Sequence, residues 1–334
     1  MKILVINKYW RNLGGVETHT FAVAKWLADS GHEVIPFAMQ ESETLPTPHS
    51  AFFPSEVDFR MRSARGAIKS VERSTISGET KTKLRALLDE HKIEAAYVVH
   101  AYHQLGTVVL NILAERGIPT VLSLHDYKIA CPNYRLFSER TNKICTKCLD
   151  HRSGFLWAPV VERCWSGSAI AGIALTLEAT ATRLRRSYLA PAVVVTTNSW
   201  QDRSAIAAGV DPARILRIPH PVELEPERET PSDADLVMIG RLVPEKGTDI
   251  IIRASALSRI PVTIVGDGRD RGALQALATE LGAPVRFTGA LSLDETREQL
   301  KDSAGLLVPS VWHEVSPLWS TTQLRGTSQS RAPM

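Results

Sequence analysis

Short apolar runs rich in β-branched residues alternate with helical patterns along most of this chain, and the alternation starts twice. Residues 2–7 are followed by a loop, by a helical pattern over 16–30 and by a second apolar run at 32–38. The same order restarts at 236–240, ahead of a helical pattern from Thr248. A strand that leads through a helix to the next strand builds a parallel sheet covered by helices. The sequence therefore predicts two doubly wound α/β domains.

The remaining elements divide the chain at about residue 222. The first half is predicted to end with a strand at 192–197, and 215–234 reads as a linker because it is acidic and contains proline. Residues 41–83 are predicted to form a surface excursion. The other predicted strands are 95–99, 120–124, 261–265, 285–288 and 305–309, and the other predicted helices are one that ends near His91, 104–116, 168–189, one from Arg271, and 293–302.

The predicted domains are 1–222 and 223–318, and the second is predicted to be incomplete. Apolar periodicity stops after Leu318, so 319–334 is predicted to be a disordered tail. This loss of pattern predicts a truncated gene product or a changed reading frame.

Composition excludes several classes of protein. The formal charge of +3 is too small for a nucleic-acid-binding chain, so no nucleic-acid partner is expected. The N-terminus lacks the apolar stretch of a signal peptide, and no uncharged run of 18 residues is present. The sequence therefore predicts a cytoplasmic protein.

Several residues that follow predicted strands of the first half are suited to ligand binding. Ligands collect at the carboxyl ends of parallel strands. Gly14 and Gly15 lie between the first strand and its helix, where a ligand can approach the backbone, although a glycine pair also serves as a simple turn. His100 and His125 directly follow strands, where an imidazole can bond a sugar hydroxyl.

The second half carries a pair of cations and an acid at the corresponding places, after its predicted strands. Arg241 and Lys246 follow its first strand, beside a helix N-terminus, and together they form a candidate diphosphate clamp. Gly266 follows the next strand and lets the backbone pass close to a ligand. Glu314, after the final strand, can accept hydrogen bonds from sugar hydroxyls.

These segments together resemble the family 4 retaining glycosyltransferases of GT-B fold, in which two Rossmann-like domains face each other across a cleft. The resemblance runs from Met1 to Leu318. It rests on the Gly14–Gly15 loop, the Leu-His-Asp-Tyr run at 124–127, the Gly-Arg-Leu-Val-Pro-Glu-Lys-Gly run at 240–247 and the Pro-Ser-Val-Trp-His-Glu stretch at 309–314.

The resemblance implies a role for each of these residues. Arg241 and Lys246 would hold the donor diphosphate, and Glu314, the first acid of the family's Glu-x7-Glu motif, would contact the donor sugar. His125 would lie near the transferred sugar, and Gly14 and Gly15 near the donor phosphate and the acceptor. The resemblance also implies catalysis without a metal, because the cations supply the opposing charge.

The implied reaction moves a hexose from a UDP- or GDP-sugar to a hydroxyl acceptor in polysaccharide or glycolipid assembly. Lipid-linked acceptors and contact with the inner face of a membrane are expected, because basic residues at 60–69 and at Arg183, Arg185 and Arg186 suit an anionic surface. A sugar-nucleotide epimerase is an alternative of the same two-lobed plan.

Two features depart from the family pattern. Thr322 stands where the motif has its second glutamate, and the segments that complete the second domain are missing after Leu318. These departures favour a second hypothesis, a catalytically inactive remnant that acts at most as a binding module.

Four cysteines, Cys131, Cys145, Cys148 and Cys164, lie in a loop-rich insert at about 131–164. Cytosolic thiols are kept reduced, so structural disulfides are not expected. Two alternatives remain open from this spacing. The thiolates bind a structural zinc ion, or they are free and redox-labile.

Overall fold

A computed structural model of the chain describes residues 1–57, 64–151, 153–165, 167–220 and 234–315. These residues form two compact units, the first made of 1–140 and 145–220 and the second of the remaining described residues. Each unit contains a parallel β-sheet covered by helices, as the alternation predicted. No helix within the described ranges combines the length and apolar character needed to cross a membrane.

The first unit is built on a six-stranded sheet in the order β2-β1-β3-β4-β7-β8, with every neighbouring pair parallel. β5 and β6 are two-residue strands outside this sheet. The strands up to residue 220 are β1 (Lys2–Ile6), β2 (Glu33–Phe37), β3 (Ala95–Val98), β4 (Thr120–Ser123), β5 (Phe137–Ser138), β6 (Lys143–Ile144), β7 (Val193–Thr196) and β8 (Ile215–Arg217), of which β6 is counted with the second unit. The helices are α1 (Gly15–Asp29), α2 (Ala64–Thr75), α3 (Gly78–Glu90), α4 (Val108–Glu115), α5 (Lys147–Asp150), α6 (Gly154–Val161), α7 (Ala169–Leu184) and α8 (Ser199–Ala207).

Strand β1 is an interior strand of the first sheet because its side chains are apolar on both faces. Ile3 to Ile6 are buried, and Ile3 is paired with Val34 on one side and with Ala95 on the other. Helices cover both faces of such a strand, which therefore reads as a continuous apolar run. The chain leaves β1 for β2 on one side and returns to β3 on the other, so the topological switch point lies between β1 and β3.

The second unit has a four-stranded parallel sheet in the order β11-β10-β9-β12. Its switch point lies between β9 and β12. Its strands are β9 (Leu236–Ile239), β10 (Val262–Val265), β11 (Val285–Gly289) and β12 (Gly305–Leu306), and its helices are α9 (Thr248–Ser258), α10 (Arg271–Leu281) and α11 (Leu293–Lys301). Its core includes Met238, Leu242, Ile252 and Ile264.

The structure corrects three predictions. The predicted excursion at 41–83 contains α2, and the strand at 193–196 is not the last of the first sheet, because β8 extends that sheet at its edge. The beginning of the predicted linker is therefore a strand. Leu216 is 49% exposed, so β8 lacks the buried apolar run by which central strands are recognised.

Four predictions fall on residues that the structure does not describe. They are the linker at 223–234 except Ala234, the position of Thr322, the tail at 319–334 and the beginning of the basic stretch at 60–69.

Candidate functional site

In the second unit, a lysine and a glutamate meet at the carboxyl edge of the sheet. Lys246 lies between β9 and α9, and Glu314 follows β12, the neighbouring strand. Lys246 Nζ lies 2.6 Å from Glu314 Oε1, and both side chains are 19% exposed. Burial raises the pKa of Glu314, but the charge of Lys246 and hydrogen bonds from Lys246, Ser310 and Trp312 outweigh it, so the net pKa is lowered. The structure thus joins two predicted site residues in a charged pair.

The loops around this pair pack backbone against backbone at two glycines. Gly247 has φ +66°, and a Cβ there would lie 2.3 Å from Pro309 O. Gly266 has φ +136°, and a Cβ there would lie 1.9 Å from Gly240 O. Neither position tolerates a side chain, so the loops after β9, β10 and β12 are held in one arrangement at the sheet edge. Arg241, on the first of these loops, is exposed.

In the first unit, His125 lies against two other histidines. It follows β4, His19 comes from α1, and His220 follows β8. The ring centroids are 4.5 Å apart for His19 and His125, 4.6 Å for His19 and His220, and 4.7 Å for His125 and His220. Among the described residues, this triad is the group with three potential metal-ligand atoms within 4.8 Å of one another. It can therefore hold a divalent transition metal or bond several hydroxyl groups of one ligand.

The three imidazoles are neutral at pH 7. Burial, followed by the charge of His220, lowers the pKa of His19 to about 4. Burial also lowers the pKa of His220, and it lowers that of His125 well below the usual value together with the charges of His19, His100 and His220. Ser123 Oγ lies 3.2 Å from His125 Nε2, and Tyr97 OH lies 2.9 Å from His19 Nε2. The rings of His125 and His19 therefore each keep their second nitrogen for another partner.

A pH dependence of stability follows from His19. The unfolded chain takes up a proton at this residue near pH 6.5, whereas the folded chain does so only near pH 4. The stability present above pH 6.5 is therefore lost as the pH falls to 4, at about 1.4 kcal/mol per pH unit. As the pH falls from 7 to 5, we expect the free energy of unfolding of the unaltered chain to decrease by about 2 kcal/mol more than that of His19→Gln. Urea denaturation at the two pH values measures this difference. The exposed His151→Gln is the control, and a His19→Gln profile parallel to that of the unaltered chain would contradict the assignment.

A network of buried charges lies beside the histidine triad. Asp126 Oδ2 is 3.2 Å from His100 Nε2 and also accepts a hydrogen bond from Tyr102 OH, while its Oδ1 accepts one from the Lys128 amide at 2.8 Å. Burial raises the pKa of Asp126, but His100 leads a set of groups that lower it to about 2. Lys8 Nζ lies 3.6 Å from the centre of the Tyr102 ring, and burial lowers its pKa to about 8. This network orients the loop that carries His125.

The glycine pair lies where the sequence predicted it, between β1 and α1. Gly14 precedes the first turn of α1 with φ −175°, an extended conformation open to any residue. A Cβ on Gly14 would approach only Glu17, at 3.7 Å. Both glycines are exposed, so the N-terminus of α1 is open at this point.

Three residues of the site were not predicted from the sequence, namely His19, His220 and Lys8. His19 lies on the buried face of an amphipathic helix, and His220 follows a short edge strand that was itself not predicted. Lys8 has a signal that could have been used, because it is an ionisable residue directly after a predicted apolar strand, as are His100 and His125.

Comparison with known proteins gives two family matches that cover separate parts of the chain. Residues 13–156 match Glycosyltransferase Family 4, and residues 223–319 match Glycosyl transferases group 1. The lipopolysaccharide core biosynthesis glycosyltransferase LpsE of Rhizobium meliloti (strain 1021) is 40% identical over 88 residues, which is 26% of this chain and 26% of LpsE. The match thus spans about a quarter of that relative.

Two solved structures share the fold. Sucrose-phosphate synthase from Thermosynechococcus elongatus has a TM-score of 0.60 and 14% identity, over 95% of this chain and 77% of the other. HepE of Anabaena in complex with UDP-glucose has a TM-score of 0.55 and 17% identity, over 94% of this chain and 75% of the other.

Proposed function

The chain belongs to the family 4 glycosyltransferases of GT-B fold, and from this membership we propose that it moves a hexose from a UDP- or GDP-sugar to a hydroxyl acceptor with retention at the anomeric carbon. The complex of HepE with UDP-glucose supports a nucleotide-sugar donor. The match to LpsE supports a role in lipopolysaccharide or related polysaccharide assembly.

The pair of Lys246 and Glu314 is the observation that carries this proposal. A cation at a helix N-terminus suits a diphosphate, and a carboxylate beside it suits sugar hydroxyls. Without a donor the two charges neutralise each other at 2.6 Å. We expect the diphosphate to take over Lys246 and the sugar hydroxyls to take over Glu314 when the donor binds.

Catalysis at this site is electrostatic. Charge develops on the leaving diphosphate during transfer, and fixed cations stabilise it most in the transition state. Lys246 is one of these cations, and the exposed Arg241 on the same loop is the second. Because the two side chains supply the opposing charge, the reaction needs no metal ion.

We assign His125 to the transferred sugar and the Gly14–Gly15 loop to the donor phosphate and the acceptor. A neutral imidazole both donates and accepts hydrogen bonds, so His125 can bond sugar hydroxyls at pH 7. His19 and His220 lie beside the His125 ring and are close to the same sugar position. The open backbone at Gly14 leaves room for a ligand at the N-terminus of α1.

An exposed apolar stripe on α7 supports an acceptor that is held at a membrane. Its members share one side of the helix, are 49% to 81% exposed, and lead to the exposed Arg186 just beyond the helix. Apolar side chains flanked by cations suit the interface of an anionic bilayer. We propose that α7 rests on the cytoplasmic face of the membrane. The stripe consists of Ile170, Ile173, Leu177 and Leu184.

Removal of this stripe is expected to weaken membrane binding. Ile173→Ser combined with Leu177→Ser should reduce cosedimentation with anionic phospholipid vesicles by about tenfold or more, because each serine removes apolar area from the bilayer contact. The control is Leu257→Ser on α9, since Leu257 is 87% exposed. Binding of the unaltered chain should also fall with added salt. Salt-insensitive binding, or equal binding by the double variant, would refute the assignment.

Calorimetric titration tests the donor class. We expect the unaltered chain to bind either UDP or GDP and the matching hexose conjugates, and Arg241→Ala/Lys246→Ala to lose that binding. A folded chain that binds neither nucleotide would overturn the proposal.

A further inference from the structure

We propose that His19, His125 and His220 bind one zinc ion or a chemically similar divalent cation, and that the bound cation inhibits the enzyme. The three side chains come from α1, from the residue after β4 and from the segment after β8. One ring nitrogen of each histidine lies within 4.8 Å of those of the other two. The inhibition rests on the proposed function, because the cation would occupy the ring that is assigned to the transferred sugar.

Three imidazoles favour a transition metal over calcium or magnesium. Imidazole suits zinc, copper and nickel, whereas calcium and magnesium prefer oxygen ligands. Zinc takes three histidines and keeps a fourth position for water or another exchangeable ligand. A tetrahedral zinc ion places its ligand nitrogens roughly 3.4 Å apart. The spacing within the triad is therefore closed by a short inward movement of the rings.

His220 points most directly to a ligand. Both of its ring nitrogens are shielded from solvent, and neither has a hydrogen-bond partner in the part of the chain that the structure describes. A neutral imidazole has one donor and one acceptor nitrogen, and leaving buried polar atoms without a partner is costly. The ring is nearly parallel to that of His125, at an interplanar angle of 18°. Because no hydrogen bond holds it, the His220 ring can turn its nitrogen toward a cation.

The other two histidines are already held by hydroxyl groups. His19 Nε2 lies 2.9 Å from Tyr97 OH, and His125 Nε2 lies 3.2 Å from Ser123 Oγ. With the proton on Nε2, each ring donates to its hydroxyl partner and Nδ1 carries the lone pair that a metal needs. Outer contacts of this kind orient histidine ligands in metal sites. Both rings are buried, so their orientation is fixed before a cation arrives.

Strand β7 holds the segments that carry the other two ligands, one on each side. The residue before His125 donates its amide to Val195 O at 2.8 Å. Ile218, two residues before His220, donates its amide to Thr196 O at 2.8 Å. The sheet therefore brings two of the three ligands to the same edge, and only side-chain rotation is needed to complete the site.

The four cysteines of the insert are the competing zinc ligands of this chain. All four are free. Within the described ranges, their sulfurs do not form a group of three within 4.8 Å of one another, whereas the histidine nitrogens do. A test must therefore separate imidazole from thiolate binding, and cobalt does so because thiolate ligands add strong near-ultraviolet bands.

Cobalt titration of the untagged full chain, stripped of metal beforehand, tests the site without any variant. We expect about one cobalt ion per chain, with weak visible bands and little near-ultraviolet thiolate absorption, and we expect zinc to displace it. No bound cobalt would overturn the proposal. A spectrum dominated by thiolate-to-cobalt bands would place the metal at the cysteines and would also overturn it.

Variants assign the bound cobalt to the triad. His220→Gln should weaken cobalt binding by about tenfold or more, and Tyr97→Phe, which removes the hydroxyl partner of His19, should weaken it by about tenfold. The control is His32→Gln, because His32 precedes β2 at the opposite edge of the same sheet. Equal cobalt affinity of His220→Gln and His32→Gln would overturn the proposal.

The inhibition is measured separately from the binding. Zinc at about ten times its dissociation constant should slow the release of nucleoside diphosphate from a bound donor by about tenfold, and a chelator should restore the rate. Cobalt binding is measured without a donor, so a failure of the proposed transferase activity does not affect that test. A chain that binds the cation at the triad and releases nucleotide at an unchanged rate would refute the inhibition.

Discussion

Replacing Lys246 with alanine is expected to weaken the binding of a nucleoside diphosphate by about 10- to 100-fold. A hydrogen bond to a charged group contributes about 1.5–3 kcal/mol, and each 1.4 kcal/mol is a factor of ten in affinity. The change also leaves Glu314 without its cation, 2.6 Å from where the ammonium was, and this carboxylate would repel the diphosphate. Calorimetric titration with UDP and GDP measures the effect.

Two further variants show whether the loss comes from the site. Lys301→Ala removes a half-buried lysine that pairs with Glu298 at 3.1 Å on α11, and it should bind the nucleotide as the unaltered chain does. Glu314→Gln frees Lys246 from its ion pair, so it should bind the bare nucleotide at least as well but lose the preference for the hexose conjugate. Lys246→Ala with affinity within about twofold of the unaltered chain would remove Lys246 from the clamp.

Replacing Lys128 with methionine is expected to lower the free energy of unfolding by about 3–5 kcal/mol. Lys128 Nζ donates to Glu178 Oε2 at 2.6 Å and to Pro132 O at 2.7 Å, and both charged side chains are buried. Burial raises the pKa of Glu178, but His103 and Lys128 together lower it to about 2. Without Lys128, the Glu178 carboxylate stays buried beside His103, which is neutral at pH 7 because burial lowers its pKa to about 4. A buried carboxylate that has lost its cation is costly. Urea denaturation at pH 7 measures the change.

The matched control for this variant is Lys25→Met. Lys25 pairs with Asp29 at 2.7 Å on the exposed side of α1, and exposed pairs of this kind contribute at most about 1 kcal/mol. Lys128→Met/Glu178→Leu removes both buried charges and should recover much of the loss. If Lys128→Met is no less stable than Lys25→Met, the buried pair does not hold the insert against α7.

Central strands of the fold could be predicted from the sequence because both of their faces are covered. β1 and β4 agree with their predicted ranges to within a residue at each end, since helices on both sides demand continuous apolar runs. β8 was missed because it is an edge strand with exposed side chains. The sequence left the segment that contains α2 open between a solvated loop and a helix, because the place of this helix is set by packing against α3 and α7.

The candidate site could be predicted where it depends on the strand order. Lys246 and Glu314 follow strands that are far apart in sequence but neighbours in the sheet, so they meet at one edge. The histidine triad could not be predicted in this way, because His19 comes from a helix and His220 from the segment after β8. Their position beside His125 depends on tertiary packing, which no local pattern records.

The most direct test of the proposed activity is time-resolved proton NMR of the chain with the α-linked nucleotide-hexose that the titration selects. Water then serves as the acceptor, and the first sugar released is observed before mutarotation. A retaining transferase is expected to release nucleoside diphosphate and to form the α-hexose first. Formation of the β-hexose first would contradict retention, and no nucleotide release from any bound donor would contradict the enzymatic function itself.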